Sequence, residues 1–192
     1  MSALRAVTDT TEQATVTEIR DERDAYDARM DPEAKLLCAL LWLGEAPAGH
    51  VADIIAFLSP KDFRRPGHAR LFTLIAEQAA EGAPIDPTIL AAKCDAAGAE
   101  GREGWPGRRT PQDFIAEIAS LQARPAQTSY LADLTLSASY RRQFQLSMLF
   151  LSQAGREADV EDLFDLMTTE GRRQRAARAR RHSGRPAVGS GA

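Results

Sequence analysis

Several things are scarce in this chain, and each shortage excludes something. Of 192 residues only two are cysteines, Cys38 and Cys94. Both fall inside helical patterns, which reads as buried free thiols in a reducing compartment rather than a disulfide framework. Three scattered histidines, His50, His68 and His182, complete no metal-ligand spacing with them. Aromatic residues make up 6% of the chain, and lysine stands only at 35, 61 and 93, so arginine carries nearly all the positive charge. β-Branched residues never alternate with polar ones over a useful length, so strands are not expected. The longest apolar run, Leu36 to Leu43, is far too short to cross a bilayer. The opening residues MSALRAVTDTTEQ lack the apolar stretch of a signal peptide. A cytoplasmic protein without membrane contact is the expectation.

Catalytic vocabulary is missing as well. There is no GxxxxGK[ST] loop to cradle phosphates, no GxSxG, no HExxH, and no Ser-His-Asp set in a recognisable local context. Asp162 and Asp165 are paired carboxylates, but they lie on an amphipathic helix where a solvated face explains them. His68 sits beside an apolar helical stripe and reads as a packing or hydrogen-bonding histidine. No catalytic residue, metal ligand or cofactor site is expected.

What is present is helix. The apolar fraction of 44% is enough for a core, although much of it is alanine. Residues 1–29 are polar and mostly acidic and read as a flexible arm, with a transient helix from Thr17 to Ala28. Asp31-Pro32 is a cap followed by a proline at the first helical position. Leu36, Leu37, Leu40, Leu41 and Leu43 then form a wide apolar stripe, giving a first helix over Asp31 to Gly44. Further helices are expected over Ala48 to Leu58, Pro66 to Glu81 and Asp86 to Ala97, the last with Ile89, Leu90 and Cys94 inward. Gly98 to Arg109 reads as a loop whose one large apolar residue, Trp105, either tucks against the bundle or stays exposed. Thr110-Pro111 caps a helix to Leu121, Arg124-Pro125-Ala126 breaks the chain, and a long helix follows from Gln127 to Ala154. Helices joined by so short a turn lie antiparallel, which predicts a helical hairpin over 110–154.

The end of the chain is polarised. Acidic residues from Glu157 to Glu170 surround Val160, Leu163, Phe164, Leu166 and Met167. Seven arginines then fall within fourteen residues: Arg172, Arg173, Arg175, Arg178, Arg180, Arg181 and Arg185. Acid early and base late suits the helix dipole, so one helix from Ala158 to about Arg181 fits, before a Pro, Gly, Ser and Ala tail. Such an arginine run can neutralise phosphates without reading sequence, and it has no aromatics for base stacking. Contact with nucleic acid, contact with an acidic protein surface and a plain solubilising role all remain open for it.

Leu58, Pro60, Asp62, Phe63, His68, Leu71, Phe72, Gly82, Pro84 and Asp86 stand in the order of an "L.P.DF…H..IF" run followed by "G.P.D". Over about Asp31 to Arg156 the chain thereby resembles the N-terminal domain of DnaB-type replicative DNA helicases. The stretch from Gly98 to Arg109 departs from that family's "L...GG..Y" pattern.

The resemblance implies an all-α fold: a small bundle, a protruding antiparallel hairpin that pairs with a second subunit, and, over 157–192, a linker-like helix that docks on a neighbour, followed by an Arg-rich disordered tail. The folded domain would span 30–156. It also implies self-association into a dimer or higher oligomer, with Tyr130, Leu131, Leu134, Phe144, Met148 and Leu151 as the hairpin's partner-binding face. The partners it implies are a replicative helicase or primase. Arg172, Arg173, Arg175, Arg178, Arg180 and Arg181 are the candidates for DNA contact. The chain stops where the helicase motor would begin, so by itself it is expected neither to hydrolyse ATP nor to unwind DNA. Three functions follow as expectations: a non-catalytic replication factor acting by docking, the N-terminal subunit of a helicase whose motor is on another chain, or a sequence-non-specific DNA-binding regulator.

Overall fold

The computed structural model describes residues 27–43, 53–105 and 110–183. Among them there is helix and turn but no strand. Four of the described α-helices open on a proline, and three of those also on a side-chain cap. Asp31 accepts from the Glu33 N–H at 2.9 Å and opens α1, Pro32–Leu41. Arg65-Pro66 opens α2, Pro66–Ala80. Asp86 accepts from the N–H groups of Thr88 and Ile89 and opens α3, Pro87–Ala96. Thr110 accepts from the Asp113 N–H and opens α5, Pro111–Ala119. In each case the proline occupies a position whose N–H would have had no helical partner.

α1 is the centre of the molecule. Leu36, Leu37, Cys38, Ala39 and Leu40 are fully buried, and the helix packs against α2, α5 and the long helix α6, Thr128–Glu157. Each buried leucine contributes about 2 kcal/mol of hydrophobic stabilisation, so this one element anchors the bundle. Both cysteines are buried free thiols. Burial pushes the Cys94 thiol above its ordinary value, against the nearby Arg70 charge and with help from Asp95.

The stretch expected to be a loop contains a short helix, α4, Gly98–Arg102. Gly101 makes this arrangement fit, because a Cβ there would stand 2.0 Å from the Cys94 carbonyl oxygen. Trp105 tucks in: its indole N–H donates to the Gly101 carbonyl at 2.9 Å, and its ring meets Phe114 edge-on at 5.4 Å. Ile89, expected inward, is exposed, while Leu90 and Cys94 of the same helix are buried. Only 53–56 of the helix expected over Ala48 to Leu58 lies in described, helical chain. The acidic arm before residue 27 and the tail after residue 183, Arg185 included, lie outside the described residues.

The hairpin forms one helix later than expected. α6 runs unbroken to Glu157 and pairs with α7, Val160–Ser183, while α5 packs on α1 and α3. The cause is linker length. Residues 120–127, with Gln122 at φ 54° and a 3-10 turn over Pro125–Gln127, give α5 room to turn away from α6. Ala158 and Asp159 are the whole joint between α6 and α7, and so short a joint returns the chain antiparallel. The segment resembling a linker helix is therefore the hairpin's second arm.

Candidate functional site

α6 has two halves. In the first, Leu131, Ala132, Thr135, Leu136 and Ser139 are buried toward the bundle. Beyond Ser139 only Ser147 is buried, and what it meets is α7. Its hydroxyl donates to the Glu170 carboxylate, and the Gln174 amide donates to both groups. These hydrogen bonds, and to a lesser degree the Arg173 charge, hold the Glu170 carboxyl below the usual range despite some burial. Above this joint lies a groove of about 670 Å³, lined by Leu146, Phe150 and Leu166 and rimmed by Asp162, Asp165 and Glu170.

Where the hairpin meets the bundle, two buried carboxylates are each met by an arginine. Asp62, with no exposed surface, accepts from the backbone N–H of Ser59 at 2.8 Å, from the Ser139 hydroxyl at 2.8 Å and from Arg180 at 2.7 Å. Glu33 of α1 accepts the Arg64 N–H at 2.9 Å, faces His68 Nδ1 at 3.2 Å and pairs with Arg142 at 3.3 Å. The same Arg142 guanidinium donates to the Asp62 carbonyl. Burial alone would raise the Glu33 pKa. The hydrogen bonds from His68 and Arg64, with the His68 and Arg142 charges, outweigh it and hold the carboxyl below its ordinary value. Side chains from α1, α2, α6, α7 and the 3-10 turn Pro60–Asp62 thus meet in one polar clasp. His68 is the buried hydrogen-bonding histidine the sequence suggested, lying also beside the Phe114 ring at 5.9 Å. No cluster among the described residues could hold a metal ion.

The residues expected to meet a partner divide. Tyr130, Phe144 and Met148 are exposed, and Leu134 and Leu151 are half-buried. Leu131 is the exception: it is buried in the bundle's own core and corrects the expectation of a partner-facing side chain. Leu146, Leu149 and Phe150 on α6, with Phe164 and Met167 on α7, add large exposed apolar side chains around the same protruding segment. The i, i+4 spacing of Leu146 and Phe150 was the available signal.

The arginines divide too. Arg172, Arg173, Arg175 and Arg178 are exposed, with Arg173 3.8 Å from Glu170. Arg181 is half-buried. Arg180 points inward to Asp62 and Ser59, so the structure gives it an internal partner in place of the expected DNA contact.

A family model described as the DnaB-like helicase N terminal domain matches residues 27–140. The chain belongs to that family. Among solved structures, the N-terminal domain of DnaB helicase from Mycobacterium tuberculosis is similar, with a TM-score of 0.57. At 22% identity, over 80% of this chain and 95% of that one, the likeness concerns the fold. No curated protein matches. Both matches are to a helicase N-terminal domain and neither includes a motor. The DnaB-like family match ends within α6 at residue 140, near where that helix leaves the bundle. No described helix is long and apolar enough to cross a membrane.

Proposed function

We propose that this DnaB-like N-terminal domain is a non-catalytic DNA-replication factor. It associates with itself through the α6–α7 hairpin and docks on a replicative helicase or on primase. The observation that carries this reading is the outer hairpin. Phe144, Leu146, Met148, Leu149 and Phe164 lie exposed on a segment that protrudes from the bundle. A clustered apolar surface of this kind marks a contact site more often than a solvated face.

Size-exclusion chromatography with light scattering, with and without the cognate helicase, tests the proposal. Self-association and a shifted peak with helicase or primase are the expected results. Leu149→Asp should remove self-association while leaving the melting temperature within a degree or two, since Leu149 is 67% exposed and outside the core. A monomer that ignores both partners at micromolar concentration would count decisively against the reading.

A second reading, DNA contact, is favoured by the four exposed arginines Arg172, Arg173, Arg175 and Arg178. Replacing all four by alanine should then abolish binding to duplex DNA. For four phosphate contacts the slope of log K against log salt should flatten by about 3–4. Affinity surviving the quadruple change would exclude α7 as the DNA contact.

A further inference from the structure

At the base of the hairpin is a second hollow, of about 380 Å³, between α7, α6 and the turn Pro60–Asp62. Its α7 wall is Arg173, Ala176, Ala177 and Arg180, an i, i+3, i+4, i+7 set on one helix face. The two arginines are thus rooted about 10 Å apart along the helix, with a notch of two alanines between them. Ser59 and Lys61 from the turn and Gln143 from α6 supply the rest of the lining.

The chemistry of this lining is one-sided. Three cations and two neutral hydrogen-bonding side chains face the hollow and no carboxylate does, in a chain whose acids outnumber its bases by 27 to 24. The neighbouring groove, which shares Gln143 and Arg173, is instead rimmed by Asp162, Asp165 and Glu170. Arg180 is fixed by Asp62 at 2.7 Å and by Ser59 at 3.2 Å, so much of its charge is met from behind. Lys61 takes part in no ion pair or side-chain hydrogen bond among the described residues. Arg173 stands 3.8 Å from Glu170, beyond hydrogen-bond reach, with its side chain 78% exposed. Like charges gathered around one hollow repel, and an anion between them relieves that repulsion.

The spacing selects the anion. Each guanidinium is a planar fork that grips phosphate through two hydrogen bonds. Two forks flanking a notch suit two phosphates in a row better than a single ion. A nucleic-acid backbone would need a longer track of cations, and the exposed Arg172, Arg175 and Arg178 are not part of this lining.

We infer that this hollow binds a small ligand through a diphosphate group, held by Lys61, Arg173 and Arg180 with Ser59 and Gln143 as neutral donors. The diphosphate is free pyrophosphate or the end of a nucleotide. Bound there, it joins α7 to the bundle beside the clasp. The site is independent of the self-association proposed above.

Calorimetric titration of the full chain with pyrophosphate, at constant ionic strength set by sodium chloride, tests the site. One-to-one binding with Kd below about 1 mM is the expected result. A parallel titration with ADP distinguishes the sources: ADP at least as tight as pyrophosphate assigns a nucleotide, and weaker ADP assigns free pyrophosphate. Lys61→Ala with Arg173→Ala should weaken binding at least about tenfold, through loss of two charged donors. Ala176→Glu, which puts a carboxylate into the notch, should do the same. Lys61, Arg173 and Ala176 are all exposed, so both variants should melt without ligand close to the unaltered chain, and lost binding is then not lost folding. Affinity kept in either variant overturns the site, as does the absence of saturable heat with both pyrophosphate and ADP. If duplex DNA alone binds, and Ala176→Glu abolishes that, the hollow belongs to a nucleic-acid backbone instead and the inference fails.

Discussion

Glu33 shows how a single carboxylate can join three helices. Its oxygens are taken up by Arg64, His68 and Arg142, and those contacts outweigh burial to keep the folded-state pKa low. A depressed carboxyl stabilises the fold above its unfolded value, about 4.3 for glutamate. That contribution falls away as pH drops from there through the lower folded-state value. Glu33→Gln should therefore melt earlier than the unaltered chain at neutral pH, and the gap should close on acidification. Thermal melts across the acidic range check this; a gap constant with pH would show that Glu33 acts by packing alone. Arg180 makes the complementary case. Removing it leaves Asp62 buried with serine and backbone donors only, so Arg180→Met should cost about 1–3 kcal/mol, discounted because the guanidinium is partly exposed. Arg178→Met, on the exposed side, should cost less than about 0.5 kcal/mol. Urea unfolding of the two variants side by side separates them.

At the scale of elements, legibility followed local chemistry. α1, α3 and α5 begin where Asp31-Pro32, Asp86-Pro87 and Thr110-Pro111 announce them, because capping is decided within a few residues. The apolar stripe of α1 likewise specifies the bundle's centre. α4 escaped notice because two glycines in five residues read as a breaker, whereas Gly101 is the residue that lets the helix lie on Cys94. The hairpin's partner could not be read because it depends on how the 120–127 connection turns, which no periodicity encodes. Leu131 and Arg180 were misplaced for a related reason. Composition marks them as apolar arm and basic tail, but their burial depends on elements distant in sequence, Asp62 being 118 residues from Arg180. Gly171→Ala is the prediction belonging to this scale. It should raise monomer stability by about 0.5–1 kcal/mol as an ordinary helix-interior change. Thermal melts of the two chains check this; an unchanged or lowered midpoint would overturn it.

For the molecule as a whole, the clasp divides the labour. The bundle draws on a leucine core around α1, while the hairpin adds little core beyond Ser139 and is set in direction by polar contacts at its base. A chain cut after Glu157 should keep the helical bundle by circular dichroism but unfold at lower urea concentration. Such a piece has lost both the guanidinium on Asp62 and the α7 side of the groove. Equal midpoints for the cut and full chains would show that the clasp adds no stability.

The same clasp bears on the order of events during synthesis. Asp62 leaves the ribosome well over a hundred residues before the side chain that neutralises it, and bringing such distant partners together is an entropic delay that local helices do not face. Until residue 180 has emerged, the Asp62 carboxylate at the base of the unfinished arm lacks its guanidinium partner. Completion of the arm is thereby postponed until translation of this helix is done.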